Sequence, residues 1–353
     1  MRTVRLRVTI VLASLLVLPA LAGTAVAQEG SRHLLTGERV ALYNLAGTLT
    51  VRGGEVSEVT VEIFRRGADA GDLEIESGML EGRNTLRVIY PDDRIVYREM
   101  GRFSSTTVRV RRDGTFGGGW GTSRRTTIRG GGSGMEAWAD ITVTVPAGRD
   151  MAFYVGVGEV DASEIAGDLM LDTHSGEVTA AGIRGRLLVD TGSGGVSVTD
   201  TEGDLSVDTG SGSVSLTAVR GEEVLVDTGS GRVSGSDVSA RRVLVDTGSG
   251  GIVLDRLSTE QLRCDTGSGG VEVELLTDVS DLEIDTGSGA VVLYVPAMIS
   301  AELEVDTGSG SIAIEVPVDY REKSRSYVLG KIGDGNGRIY IDTGSGGVRI
   351  RRK

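Results

Sequence analysis

Apolar and polar residues alternate along the chain in short runs separated by glycine-containing turns, a pattern typical of β-strands. From residue 169 onward, each run ends in an Asp-Thr-x-Ser-Gly string. An aliphatic residue stands three positions before each Asp and six positions after it, and an aliphatic residue or Cys264 stands one position before it. Alternate residues of a strand share a face, so these columns predict two half-buried strands per repeat. The strings begin at Asp172, Asp190, Asp208, Asp227, Asp246, Asp265, Asp285, Asp306 and Asp342.

The spacing of the strings discriminates between repeat architectures. Successive strings lie 18 to 21 residues apart, except for a last interval of 36. Such short units bury their apolar columns only by stacking on their neighbours, which is typical of a solenoid. A β-propeller blade needs about 40 residues, roughly twice this period. The pattern predicts an all-β fold with a parallel, β-helix-like β-solenoid of 18–21-residue coils over residues 151–353. The segment between 306 and 342 is a longer excursion that returns to the register.

The region upstream of the array alternates in the same way but lacks the repeated string. Examples are "ALYNLAGTLTVRG" and "ADITVTVPAG", both within residues 28–150. An uncovered solenoid end would expose strand edges to other chains. We therefore expect residues 28–150 to form the first irregular coils or an N-terminal β cap.

Residues 1–27 have the three parts of a secretory signal peptide. They comprise a start with three arginines, an apolar stretch over 10–22 and an Ala-Val-Ala cleavage string at 25–27. The apolar stretch contains Pro19 and is shorter than the roughly 20 residues of a membrane span, which favours cleavage over anchoring. We expect an exported protein of the periplasm or the cell surface, with no transmembrane anchor after cleavage.

Charge and cysteine content narrow the function classes. Removing the arginines of the signal would change the formal net charge from -13 to -16. Such an acidic chain repels phosphates, which argues against nucleic-acid binding. Cys264 is the single cysteine, so no internal disulfide can form. Its place in an aliphatic column predicts a buried thiol rather than a nucleophile.

The Asp-Thr-Gly-Ser string also resembles the catalytic loop of aspartic proteases. Those enzymes need two aspartates from two facing lobes that share one proton. Here the aspartates are predicted to stand in single file. We interpret the string as a structural turn in which Asp accepts backbone N–H groups and Gly permits positive φ. Because His33 and His174 belong to no catalytic motif either, we expect a non-enzymatic protein.

A file of carboxylates about 4.8 Å apart repels itself and needs compensation. Hydrogen bonds from the turns are one source, and calcium is another because it prefers oxygen ligands. The calcium-binding nonapeptide coil places its own Asp two residues after a G-x-G turn, where this array has Val or Ile. We therefore expect no cofactor. The alternative calcium ladder would use Asp190, Asp208, Asp227, Asp246, Asp265 and Asp285.

Residues 101–135 are basic on an otherwise acidic chain, with seven arginines against one acid, Asp113. One interpretation is a mobile arm that binds an anionic partner, such as an acidic glycan or a phosphorylated envelope lipid. A solvated loop or a basic β-hairpin is the interpretation that we favour. A third is docking on the chain's own acidic rod. The binding candidates are Arg109, Arg111, Arg112, Trp120, Arg124, Arg125 and Arg129.

Over about residues 36–353 the chain resembles the bacterial DUF4097 family, whose members are described as adhesins. The repeated "G-D-L-x-V-D-T-G-S-G-x-V-x-V" pattern, the lead-in "VALYNLAGTLTVRG" and the ending "IGDGNGRIYIDTGSGGVRI" carry the resemblance. It implies an exported β-solenoid without enzymatic activity and supplies no catalytic residues. The first hypothesis is adhesin-like binding or scaffolding of an envelope component or glycan through the repeated face. The alternative is an envelope stress-response component that binds an anionic partner through residues 101–135.

Overall fold

The computed structural model describes residues 30–117 and 122–353. The signal peptide expected at 1–27 and the binding candidate Trp120 lie outside the described residues. The described chain is all-β, and its helical content is one 3₁₀ turn at Ala70–Asp72. None of its helices has the length and apolar character needed to cross a membrane.

Strands such as β3 and β10 alternate between buried and more exposed positions, as the sequence pattern predicts, whereas seven consecutive residues of β2 are buried. In chain order they are β1 (Gly30–Leu35), β2 (Arg39–Ala46), β3 (Leu49–Gly53), β4 (Val59–Arg66), β5 (Glu74–Leu80), β6 (Arg83–Ile89), β7 (Arg94–Val96), β8 (Ser105–Arg111), β9 (Ser123–Arg129), β10 (Trp138–Val145), β11 (Arg149–Val157) and β12 (Val160–Ser163).

The strands of the array begin and end close to the repeated strings. They are β13 (Gly167–Ser175), β14 (Val178–Ala181), β15 (Leu187–Thr191), β16 (Val196–Glu202), β17 (Leu205–Thr209), β18 (Val214–Thr228), β19 (Val233–Ser236), β20 (Ser239–Thr247), β21 (Ile252–Thr266), β22 (Val271–Leu275), β23 (Asp281–Thr286), β24 (Val291–Val295), β25 (Ala301–Thr307), β26 (Ile312–Ile314), β27 (Asp319–Lys323), β28 (Tyr327–Ile332), β29 (Gly337–Thr343) and β30 (Val348–Arg352).

Successive repeats stack as parallel, in-register coils, which confirms the predicted solenoid. The strands that carry the Asp of each string pair with one another, so that Asp208 lies opposite Asp190 on one side and Asp227 on the other. We name this sheet face A. The strands after each string pair in the same way and form face B, where Val214 lies opposite Val196 and Val233.

The aliphatic columns of both faces point inward and form one continuous core. Each Val or Leu before the Asp is buried, whereas the Asp itself points outward. Cys264 is fully buried in this column, as predicted, and burial raises the pKa of its thiol to about 12. The thiol therefore contributes to packing and is not poised as a nucleophile.

The last repeat returns to the register, but it occupies an unexpected place in the stack. Strand β29 lies between β23 and β25, so that Asp342 is opposite Asp285 on one side and Asp306 on the other. Strand β30 lies between β24 and β26 in the same manner. The excursion supplies β27 and β28, which pair antiparallel and cover the outer edge of β25.

The region before the array contributes both coils and a cap. Strands β2 and β3 pair in parallel with β11 and β12, so that they continue the two faces. Beyond them, β4 pairs antiparallel with β1 on one side and with β10 on the other. The β5–β6 hairpin closes the other edge through parallel pairing of β6 with β2.

Candidate functional site: the outer side of face A and the basic hairpin

Threonine, rather than aspartate, braces the repeated turn. The Thr247 Oγ1 accepts a hydrogen bond from the Gly250 N–H at 3.0 Å and donates one to the carbonyl oxygen of Gly231, in the preceding coil, at 3.1 Å. The expectation that Asp accepts the turn's N–H groups is therefore wrong. The same pair of bonds recurs at Thr209, Thr228, Thr266, Thr286, Thr307 and Thr343.

Close stacking explains the last glycine of most strings. A Cβ at Gly250 would lie 1.7 Å from the carbonyl oxygen of Gly231, closer than any side chain can approach. In the first two strings the corresponding glycines, Gly176 and Gly194, do have positive φ values of 155° and 154°. From the third string onward, contact between coils is the reason for glycine, in place of the positive φ that the sequence suggests.

The aspartates form a ladder on the outer side of face A, one carboxylate per coil. Burial and the neighbouring Asp265 and Asp227 raise the pKa of Asp246. Burial and the neighbouring carboxylates also raise the pKa of Asp285. The ladder thus retains part of its electrostatic repulsion instead of having it relieved by the turns.

The arrangement of the ladder differs from that of an aspartic-protease site. The described residues contain no group of three or more His, Cys, Asp or Glu side chains that could hold a metal ion. Six aspartates of the ladder are the calcium ligands that the sequence suggested as an alternative, and each faces outward in register with the next. A proteolytic dyad needs two aspartates that face each other across a cleft, whereas these stand side by side on one sheet. The six are Asp190, Asp208, Asp227, Asp246, Asp265 and Asp285.

A groove of about 500 Å³ runs beside the ladder on the outer side of face A. Two half-buried leucines, Leu225 and Leu244, form the apolar part of the groove. They lie opposite each other in adjacent coils and point outward. The groove is also lined by Ser206, Asp208, Asp227, Asp246, Arg263 and Asp265. We call it the carboxylate groove.

The described residues of 101–135 contain a packed hairpin, which we call the basic hairpin. Strands β8 and β9 pair antiparallel, and β7 adds a third strand beside β9. Val108, Val110 and Ile128 are buried beneath it. Buried positions of β8 and β9 alternate with exposed or half-buried ones, so one face of the hairpin lies on the body and the other points outward.

The loop of the basic hairpin covers the first rung of the ladder. The Phe116 ring packs edge-on against Tyr43, and Tyr43 stacks on Tyr154 with ring centroids 4.2 Å apart. Gly117 lies beside the Asp172 carboxylate, and burial together with Asp190 raises the pKa of Asp172 to about 6. Docking on the chain's own acidic rod, left open by the sequence, is therefore observed.

Two of the candidate arginines hold the basic hairpin together. The Arg111 Nη1 donates to the Thr115 Oγ1 at 2.9 Å, and the Arg124 Nη1 donates to the carbonyl oxygen of Pro91 at 3.0 Å. Both also line a cavity of about 310 Å³ together with exposed Arg112. Arg129 is half-buried and follows the same strand.

Arg109 and Arg125 lie directly opposite each other on the outward face of the basic hairpin. Both are exposed, and the ion pairs and hydrogen bonds among the described residues include neither of them. Two like charges in opposed positions destabilise a strand pair, so an external anion would relieve the repulsion. Sequence reasoning missed Arg94, which lies on β7 next to the same face because β7 pairs with β9.

The two histidines have structural partners. The His33 Nε2 lies 3.0 Å from the Ser31 Oγ, and the His174 Nε2 lies 3.0 Å from the Thr106 Oγ1 of the basic hairpin. His174 therefore helps to position the hairpin on the rod.

Comparison with known proteins finds a family match that covers the array and part of the region before it. Residues 107–351 match the model of a family described as Toastrack DUF4097. Among solved structures, a "putative cell adhesion protein" from Clostridium sporogenes ATCC 15579 aligns over 92% of this chain and 99% of its own, at 10% identity and a TM-score of 0.22. A search of curated proteins found no match.

Proposed function

Because this chain belongs to the DUF4097 (Toastrack) family, we propose that it is a non-enzymatic, adhesin-like binding or scaffolding protein of the bacterial cell envelope. The signal peptide expected at 1–27 supports export to the periplasm or the cell surface. The proposed binding surface is the outer side of face A.

The observation that carries this proposal is the carboxylate groove. Leu225 and Leu244 are half-buried residues on the outer side of face A, and they line a solvent-accessible groove of about 500 Å³. A concave surface that combines apolar area with a few charged groups is typical of a binding site. The in-register coils repeat the Asp of this surface at intervals of about 4.8 Å, whereas the two leucines are flanked by Ser206 and Arg263 in the adjacent coils.

The test introduces charge into the apolar part of the groove. We expect the double variant Leu225→Glu/Leu244→Glu to bind isolated bacterial cell walls and envelope vesicles at least about tenfold more weakly than the wild type, a loss of roughly 1.4 kcal/mol. The matched control is Val253→Glu/Val292→Glu, which changes two half-buried outward residues of face B. Equal binding by both variants would exclude face A, and absence of binding by the wild type would refute the adhesin-like role.

A second candidate function follows from Arg109 and Arg125. As the alternative hypothesis states, a stress-response component of the envelope would bind an anionic partner through the basic hairpin. The unpaired, opposed arginines support this candidate. Vesicles with and without anionic lipid test it, because Arg109→Glu/Arg125→Glu would abolish binding only to the anionic ones.

A further inference from the structure

The carboxylate groove and the outward face of the basic hairpin are oppositely charged surfaces of the same molecule. The groove presents one carboxylate from each coil between Asp208 and Asp265. The basic hairpin presents Arg109 and Arg125, with Arg94 beside them. Complementary potentials of this kind favour association and set its register.

The spacing of the charges also matches. Carboxylates of adjacent coils, such as Asp227 and Asp246, are separated by the distance between paired strands, about 4.8 Å. Directly opposed residues in an antiparallel pair, here Arg109 and Arg125, have Cβ atoms about 4.5–5.5 Å apart. Two guanidinium groups on one strand pair can therefore meet two carboxylates of adjacent coils.

Contacts within one chain show that hairpin residues fit on this side of the rod. The loop residues Phe116 and Gly117 lie against Tyr43, Tyr154 and Asp172, which are outward residues of face A. The described residues of the hairpin loop cover this end of face A. Over the coils of Asp208 to Asp265 the same outer side is open as the carboxylate groove.

We infer that the outward face of the basic hairpin of one copy docks in the carboxylate groove of a second copy. This inference rests on the proposed function, because it names the partner of the face A surface. In the docked pair, Arg109 and Arg125 neutralise neighbouring rungs of the ladder, and Leu225 and Leu244 are covered.

The two surfaces are different patches of the molecule, so the contact is heterologous. The pair therefore keeps one free groove, on the copy that supplies the hairpin, and one free hairpin, on the copy that supplies the groove. Contacts of this kind propagate into open chains unless the rotation closes a ring. Self-association through this contact therefore builds a multivalent array of the envelope protein.

Sedimentation velocity over a range of protein concentrations tests the inference. We expect the wild type to self-associate, and Arg109→Glu/Arg125→Glu and Asp227→Lys/Asp246→Lys each to weaken association at least about tenfold. All substituted side chains are exposed, and circular dichroism checks that both variants fold. The matched control Asp161→Lys/Glu272→Lys reverses two exposed acids of face B and should leave association unchanged.

Mixing the two reversed variants is the decisive step. In the mixture the Glu-bearing hairpin meets the Lys-bearing groove, and the native hairpin of the groove variant meets the native groove of the hairpin variant. The mixture should therefore assemble with the two variants in alternation, although neither variant associates alone. Raising the ionic strength from 0.01 to 1 M shortens the Debye length from about 30 to 3 Å and should dissociate the wild-type assembly. A mixture that stays monomeric would show that this pairing is wrong.

Other outcomes would also overturn the inference. A wild type that is monomeric at every concentration lacks the contact. If hairpin reversal abolishes binding to anionic vesicles but leaves self-association intact, the hairpin meets a membrane rather than a second copy. Envelope binding that depends on Leu225 and Leu244 in a strictly monomeric protein would leave the proposed function standing and refute only this inference.

Discussion

The final glycine of each repeated string shows how a single residue limits the distance between coils. A Cβ at Gly250 would lie 1.7 Å from the Gly231 carbonyl oxygen, whereas one at the next residue, Gly251, would lie 3.4 Å from the Gly270 carbonyl oxygen. The first position has no room for a methyl group, and the second allows ordinary contact.

These distances predict opposite outcomes for adjacent alanine substitutions. We expect Gly250→Ala to lower the free energy of unfolding by more than about 3 kcal/mol, because two coils must separate. Gly251→Ala should change it by less than about 1 kcal/mol. Urea unfolding of the two variants measures the difference, and similar stabilities would contradict close stacking as the reason for glycine.

The threonine of the string offers a second matched pair. Thr247→Val removes two hydrogen bonds and leaves a buried N–H unpaired, so we expect a loss of about 1–3 kcal/mol in the free energy of unfolding. The Thr191 Oγ1 is buried without a hydrogen-bond partner in the described structure, so Thr191→Val should be neutral or stabilising. Thermal unfolding of both variants tests this. An equal loss at both sites would contradict the assigned bonds.

Asp172 predicts a gain of stability on mild acidification. Burial and Asp190 raise its folded-state pKa to about 6, above its ordinary value of 3.8, so its ionised form opposes folding at neutral pH. As the pH falls from 7 to 5, the folded protein takes up this proton. The free energy of unfolding rises, in total by at most about 3 kcal/mol once the pH is below 3.8.

The variant Asp172→Asn is the control for this titration. It should be more stable than the wild type at pH 7 and lack the rise between pH 7 and 5. Carboxylates whose pKa is lowered by arginine contacts, such as Asp237, lose their stabilisation only at lower pH. Melting temperatures of the wild type and Asp172→Asn at pH 5, 6 and 7 test whether Asp172 causes the rise. The same pH dependence in both proteins would refute this assignment.

At the scale of strands, the final repeat is held by two coils instead of one. Strand β29 fills the space between β23 and β25, and β30 fills the space between β24 and β26. Coils of a solenoid are stabilised mainly by their nearest neighbours. The coil of β25 and β26 therefore depends on the chain's last residues for its attachment to the rod.

Truncation tests this dependence. Deleting residues 337–353 should abolish hydrogen-exchange protection in 301–332, while protection in 187–247 remains, because those coils keep both neighbours. The control Lys353→Ala removes the ion pair to Glu274 and the contact with the Tyr294 ring, and it should leave 301–332 protected. Unchanged protection after the deletion would mean that the end coil re-pairs with β23.

At the scale of the whole molecule, charge is distributed unevenly along one rod. The basic hairpin covers one end of face A, and the rest of that face carries the uncovered ladder. The formal net charge of -13 is therefore the sum of an acidic rod and a small basic surface. Because the two surfaces carry opposite charges, this uneven distribution favours association of two molecules in a defined orientation, which a uniformly acidic surface would oppose.

Calcium is expected to have no specific effect on the whole molecule. The described residues contain no group of three or more His, Cys, Asp or Glu side chains that could hold a metal ion, and we expect calcium to have no preferential affinity for the folded state. The melting temperature with calcium should match that in chelator at equal ionic strength, and magnesium serves as the control for general screening. A rise specific to calcium would restore the ladder as an ion site.

Much of this structure was predictable because the repeat is local. Every string is flanked by the same apolar columns, and each coil pairs in register with an adjacent one, so periodicity alone determined the solenoid, its two faces and the buried Cys264. The role of the turn residues was harder to predict. The recurring string does not reveal that the Thr247 hydroxyl bonds to the neighbouring coil or that the Thr191 hydroxyl does not.

Tertiary structure alone decided the features that join distant segments. The place of β29 between β23 and β25, the seating of Phe116 on Tyr43, and the groove beside Leu225 all depend on contacts that have no period in the sequence. Because all coils share one register, the sequence determines which residues of any two coils can pair. The repeated strings are nearly identical, so the repeat itself does not determine which coils become neighbours. The packing of the excursion and of the non-repeating hairpin decides this.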